Sequence, residues 1–138
     1  MLSYITIGAN DLPRSGRFYS AILTPLGYRR TDAGNGVVFS LPDLPDRLDA
    51  PTTVYVVKPY DGREATVGNG SMTAFRTATH ASVRSIHAAG IQAGGTDEGA
   101  PGFRAEYTKH FYVAYLRDPV GNKVAIFCNN PAEGSRGD

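Results

Sequence analysis

Two stretches of the chain, offset by 68 residues, carry the same succession of signals, and this repeat limits the fold more than any single motif. Leu2 to Ile7 alternates in part and is rich in β-branched and aromatic residues, which predicts a strand. Asp11 then stands where a helix needs a cap, with Pro13 in the first turn. Leu12, Ser15, Phe18, Tyr19, Ile22 and Leu23 share one face at helical spacing, and Gly27 ends the segment. Arg29 to Arg30, Val37 to Leu41 and Thr52 to Val57 read as strands. Gly34, Gly36 and a Pro-rich loop from Pro42 to Pro51, which holds Asp43 and Asp46, interrupt them.

In the second half, Ser71 to Phe75 is again strand-like and Thr79 takes the place of Asp11. Val83, Ile86, His87 and Ile91 take the places of Ser15, Phe18, Tyr19 and Leu23, and Gly94 and Gly95 end the helix. His110 to Leu116 and Lys123 to Phe127 flank the turn Asp118-Pro119-Val120-Gly121-Asn122. Pro119 presets φ, Gly121 accepts a positive φ, and Asp118 and Asn122 can bond local backbone, so the run predicts a hairpin. Each half therefore reads β-α-β-β-β, an α+β class. Residues 1–58 and 70–128 form two modules of a single domain spanning 1–128. A helix on one face of each curved sheet leaves the other face free, and two halves side by side are expected to enclose a cleft. Gly99 to His110 reads as a mobile loop over that cleft. The polar tail 129–138 is expected to fray.

Composition excludes several functions. At 138 residues, one domain is the default. Lys+Arg 14 against Asp+Glu 13 gives a net charge of +1 with no long basic run, which argues against nucleic acid as a partner. No run approaches the roughly 18 apolar residues of a membrane span, and the start lacks a leader pattern. Cys128 is the only cysteine, so no internal disulfide is possible. It reads as a small buried hydrophobe, and together these features predict a cytoplasmic protein. There is no Gly-x-Ser-x-Gly elbow and no phosphate loop with Gly-Lys-Ser/Thr.

Seven short motifs follow one another along the chain: Ile5-Thr6-Ile7-Gly8-Ala9-Asn10-Asp11-Leu12, Arg17-Phe18-Tyr19, Leu26-Gly27-Tyr28, His87-Ala88-Ala89-Gly90, Ala93-Gly94-Gly95, Gly99-Ala100-Pro101-Gly102 and the closing Asp-Pro-x-Gly-Asn turn. In this order the chain resembles, as far as residue 128, the vicinal oxygen chelate superfamily of glyoxalase I, bleomycin-resistance proteins and extradiol dioxygenases. The resemblance implies paired βαβββ modules around a cleft. It also implies four metal ligands in the metal-using members, supplied by the first and last strands of each half. Carried onto this chain, those positions fall on Tyr4, Met72, Ala125 and a place within Thr52 to Lys58, a stretch without His, Asp or Glu. Divalent metals of this kind need imidazole nitrogen and carboxylate oxygen, so no metal cofactor is expected. Of the three histidines, His80 reads as surface and His87 as a packed helix residue. His110, at the start of the penultimate strand, is a cleft candidate.

These residues imply a metal-free protein that binds a small hydrophobic or aromatic ligand. The cleft residues expected are Tyr4, Thr6, Tyr55, Met72, Arg76, Arg104, His110, Tyr112 and Ala125. Counted by strand alternation from the ligand positions that the resemblance implies, Tyr4, Thr6, Met72, Ala74, Arg76 and Ala125 share the concave side, whereas the facing of Tyr55, Tyr107, Phe111, Tyr112 and Tyr115 stays open. Tyr and Met linings suit an aromatic or amphipathic ligand, and Arg104 can clamp a carboxylate or phosphate. The alternative is a metal-dependent enzyme, lactoylglutathione lyase-like or dioxygenase-like, with a displaced metal site. The resemblance also implies a homodimer.

Overall fold

The computed structural model describes residues 2–42 and 52–137. Asp43 and Asp46 lie outside the described residues. Strand β1 (Tyr4–Gly8) leads into helix α1 (Leu12–Leu23), then β2 (Arg29–Ala33), β3 (Gly36–Ser40) and β4 (Thr53–Val57). The second half repeats the order with β5 (Thr73–Arg76), α2 (His80–Gln92), β6 (Thr96–Phe103), β7 (Tyr112–Arg117) and β8 (Lys123–Cys128). The two sheets run β1-β4-β3-β2 and β5-β8-β7-β6. β1 pairs parallel with β4 and β5 with β8, and the remaining pairs are antiparallel. The expected paired βαβββ architecture is thus observed.

Both helices begin as their sequences dictate. Asp11 Oδ1 accepts from the Arg14 amide at 3.1 Å, and Thr79 Oγ1 accepts from the Ser82 amide at 3.0 Å. Each helix lays its apolar face on its own sheet. Phe18, Tyr19, Ile22 and Leu23 are fully buried, as are Val54, Val56, Val124 and Ile126. Full burial of each large side chain is worth roughly 1.5–3 kcal/mol.

The two halves share one core. Helices α1 and α2 meet at Gly90, where an added Cβ would approach Leu116 Cδ1 to 2.7 Å and Ile22 Cγ2 to 3.0 Å. Only glycine lets the helices come so near. Tyr28 and Phe75 pack edge-on across the halves with ring centroids 6.3 Å apart. Ile91, expected on the buried face of α2, is 41% exposed; its neighbour Gly90 holds the contact instead.

Two other expectations are corrected. Residues 99–103 are not a loop but the end of β6, whose register with β7 shifts between Asp97 and Gly99 and again between Gly99 and Gly102. An irregular edge strand tolerates Gly and Pro101 because one side needs no ladder partner. The tail, expected to fray, is hydrogen-bonded back to the domain as far as Arg136. Asn130 caps a short 3₁₀ turn at Pro131–Glu133, and Glu133 Oε1 accepts from the His80 amide at 2.7 Å at the start of α2. Arg136 Nη1 donates to the carbonyls of Arg104, Ala105 and Tyr107 at 2.6, 2.7 and 3.1 Å. Among the described residues no helix is long and apolar enough to cross a membrane.

Candidate functional site

Strand registers assign each side chain to a face. Ile5 and Ile7 of β1 turn toward α1, so Tyr4 and Thr6 lie on the open face, beside Thr53 and Tyr55 of β4. Tyr4 and Tyr55 pack edge-on there at 5.4 Å. In the second sheet Phe75 and Ile126 are buried under α2, which leaves Ala74, Arg76, Lys123, Ala125 and Phe127 on the open face. Thr6 pairs with Tyr55 as Ala74 pairs with Ala125, so Tyr55 is the first-half counterpart of Ala125.

The open face of the second sheet forms the floor of a groove of about 850 Å³. Its walls are the connector Val67–Met72 on one side and Glu98, Gly99, Arg104 and Tyr107 on the other, with Tyr115, Arg117 and Lys123 between them. None of its lining comes from the first sheet. The larger groove thus lies on one half, whereas the cavity between the two halves, lined by Thr6, Ile7, Gly8 and Tyr19 of the first and Met72, Thr73, Asn122 and Lys123 of the second, is smaller. The two helices meet in the shared core, and the connector lies across the second sheet. Tyr4, Thr6 and Tyr55 remain on the other open face. Thr6 meets Met72, Tyr19 and Asn122 only in a smaller cavity of about 240 Å³.

The groove centres on Tyr115. Lys123 Nζ lies 4.9 Å from its ring centroid and Arg104 Cζ 5.7 Å, both within cation–π range. Tyr115 Oη donates to Tyr107 Oη at 3.4 Å. Loss of water around the ring, reinforced by that hydrogen bond, pushes the Tyr115 phenol up to about 12. Arg104 is fixed by its own strand: Nη1 donates to the Gly102 carbonyl at 3.0 Å and Nη2 to the Ala100 carbonyl at 2.8 Å. Arg117 Nη2 pairs with Glu98 Oε1 at 3.0 Å, and this hydrogen bond holds the Glu98 carboxyl below its usual range. Lys123 makes no ion pair among the described residues. Gly99 keeps the floor open: a Cβ there would come within 2.8 Å of Tyr115 Cδ2 and 3.1 Å of Arg104 Nη2.

Of the expected cleft residues, Met72 and Arg104 line this groove. Ala125 sits on the open face but is buried, and it does not reach the groove wall. Arg76 lies over a separate shallow pocket with Asn129, Asn130 and Pro131. His110 is turned to the tail, its Nδ1 3.1 Å from the Gly134 carbonyl oxygen. Tyr112 is on the wrong face for the open side. It pairs with Cys128 in register, stacks on His80 at 4.2 Å beneath α2, and accepts from Arg84 Nη1. Sequence reading left the facing of Tyr115 and Tyr107 open and did not assign Lys123, Glu98 or Arg117 to the cleft. A period of two counted back from Ala125 reaches Lys123, and the hairpin register Tyr115–Ala125 and Arg117–Lys123 supplies the rest.

The donor set does not suit a divalent metal. The positions implied by resemblance hold a phenol at Tyr4, a thioether at Met72, a methyl at Ala125 and, by register, a second phenol at Tyr55. No three His, Cys, Asp or Glu side chains cluster to hold a metal ion among the described residues. His87 Nε2 and Asp97 Oδ1, 2.9 Å apart, join α2 to β6, and the same Asp97 oxygen accepts from the Gly99 amide at 3.0 Å.

No family model and no curated protein matches the chain. Solved structures do. A glyoxalase/bleomycin resistance protein from Albidiferax ferrireducens is 36% identical, over 93% of this chain and 98% of that one, with a TM-score of 0.79. A glyoxalase-related enzyme from Fulvimarina pelagi is 18% identical, over 99% and 97%, with a TM-score of 0.70. A glyoxalase/bleomycin resistance protein/dioxygenase family enzyme from Burkholderia phytofirmans is 20% identical, over 91% and 96%, with a TM-score of 0.63. The last two show likeness of fold alone.

Proposed function

Because the chain belongs to the glyoxalase/bleomycin resistance protein/dioxygenase superfamily, we propose that it is a metal-free binding protein that takes a small aromatic or hydrophobic molecule in the groove on its second sheet. The observation that carries this reading is the register pairing of Thr6 with Tyr55 and of Ala74 with Ala125. It makes Tyr55 the counterpart of Ala125, so that with Tyr4 and Met72 the four positions where a metal would need imidazole or carboxylate hold two phenols, a thioether and a methyl. Tyr107, Tyr115 and Met72 give the groove flat and adaptable apolar surface, which supports an aromatic guest.

Elemental analysis of protein purified without a His tag tests the metal half of the proposal. The expected result is no near-stoichiometric Fe, Ni, Zn or Mn, and a melting temperature unchanged by a chelator. A stoichiometric metal that supports lyase or dioxygenase turnover overturns it in favour of an enzyme.

A homodimer fits the exposed surface. Tyr4 is 61% exposed and Met72 48%, on open sheet faces that a second copy can cover. Light scattering on the purified chain decides this. A cytoplasmic location fits the unpaired, buried Cys128.

A further inference from the structure

We propose that the groove selects an aromatic acid: a small planar ring bearing a carboxylate, stacked beside Tyr115 and Tyr107, its charge met by Arg104 and Lys123. This rests on the reading of the groove as a small-molecule site and adds the class of molecule it takes.

The charges of the lining decide between an anion, a neutral ring and a cation. Arg104, Arg117 and Lys123 face a single carboxylate, Glu98. Glu98 is engaged by Arg117 at 3.0 Å and also feels Lys123, and Asp97 feels Arg104 from outside the lining, so the lining itself carries two positive charges in excess. Both lie against Tyr115, at 4.9 and 5.7 Å from its centroid, so a ring laid beside Tyr115 brings a substituent within reach of either. Arg104 is held by the Gly102 and Ala100 carbonyls, which use only part of its five N–H donors and fix the guanidinium in place. A fixed guanidinium loses little entropy on meeting a carboxylate. Glu106 acts on Tyr115 from outside the groove in the opposite sense, but it does not line it. Gly99 leaves the space that a flat ring requires; any side chain there would run into Tyr115 and Arg104.

The test is titration of the full chain with naphthoate, naphthamide and naphthylmethylammonium at low salt by calorimetry. Chemical-shift mapping locates the binding, and circular dichroism confirms the fold of each variant. Naphthoate is expected to bind at least about tenfold more tightly than the amide, the size of one charge-assisted hydrogen bond. The ammonium is expected to bind weakest. Lys123→Gln should bring the acid-to-amide ratio toward one, and Lys123→Arg should restore it. If Lys123→Gln fails to fold, Arg104→Gln carries the same comparison. Equal binding of acid and amide, mapped to Tyr107 and Tyr115, overturns the preference for acids and leaves the groove as a binding site. Absence of binding by all three at millimolar concentration overturns both.

Discussion

Tyr19 and Asp118, 99 positions apart, are joined by a buried hydrogen bond in which Tyr19 Oη donates to Asp118 Oδ2 at 2.7 Å. The same carboxylate organises the closing turn. Its Oδ1 accepts from the amides of Val120, Gly121 and Asn122, each at 2.9 Å, and Asn122 Nδ2 reaches both Asp118 Oδ2 at 2.8 Å and the Gly8 carbonyl at 3.2 Å. Asp118 and Asn122 together thus tie helix α1, the β7–β8 turn and the end of β1. A buried carboxylate is tolerated here because five donors replace its water.

Removing the phenol hydroxyl leaves the other four donors in place. Tyr19→Phe should lower stability by about 1–3 kcal/mol, and Asp118→Ala by more, since it orphans the Val120 and Asn122 amides and a phenol, the Gly121 amide keeping its bond to the Asp118 carbonyl. Urea denaturation of the two variants measures both; equal midpoints with the parent would show that the bond contributes nothing.

Alkaline pH acts on two tyrosines. Burial first, and the Asp118 charge second, raise the Tyr19 phenol well above its ordinary value; Tyr115 is raised to about 12. The folded state therefore holds these protons more tightly than the unfolded chain does. Their stabilisation is complete below about pH 10, the unfolded value, and is lost as pH rises through the folded values. Melting temperature should fall from about pH 10 upward, and Tyr115→Phe should make that fall shallower.

At the acid end the direction reverses. A hydrogen bond to His87 first, and one from the Gly99 amide second, hold the Asp97 carboxyl below its ordinary range. Its contribution is present above about pH 4 and is lost as pH falls through the folded value. Asp97→Asn should flatten the acid limb of a pH–stability curve. An unchanged limb would mean that this pair, whose carboxylate is exposed, contributes nothing.

Gly95 sits where an added Cβ would approach Phe18 Cε2 to 2.4 Å and the Gly90 carbonyl oxygen to 2.9 Å. The backbone oxygen cannot swing away as a side chain can. Gly95→Ala should therefore cost about 1–3 kcal/mol, more than Gly34→Ala, which meets nothing within 4 Å. Thermal unfolding of both variants gives the comparison.

Arg136 fastens the tail to the segment that carries Arg104 and Tyr107. Arg136→Ala should speed amide exchange in residues 104–111 and weaken any ligand of the groove, while the α2 core keeps its protection. Unchanged exchange in 104–111 would show that the tail does not hold this segment.

The order of elements was legible because it is written in local chemistry. Asp11 and Thr79 cap helices by bonding amides three residues on, and the Asp118 turn closes within five residues, so no distant contact is needed to read them. The poor donors at Tyr4, Met72 and Ala125 were equally legible, since residue identity is covalent. The face that each strand presents was not. Tyr112 and Tyr115 sit in one apolar run, and only pairing with Cys128 and Ala125 sends the first under α2 and the second into the groove. The register shifts in β6, the connector laid across the second sheet and the capture of the tail by Arg136 all join residues far apart in the chain. Such contacts form only once the core has brought the parts together, and it is they that gather Tyr107, Tyr115, Arg104 and Lys123 around one space.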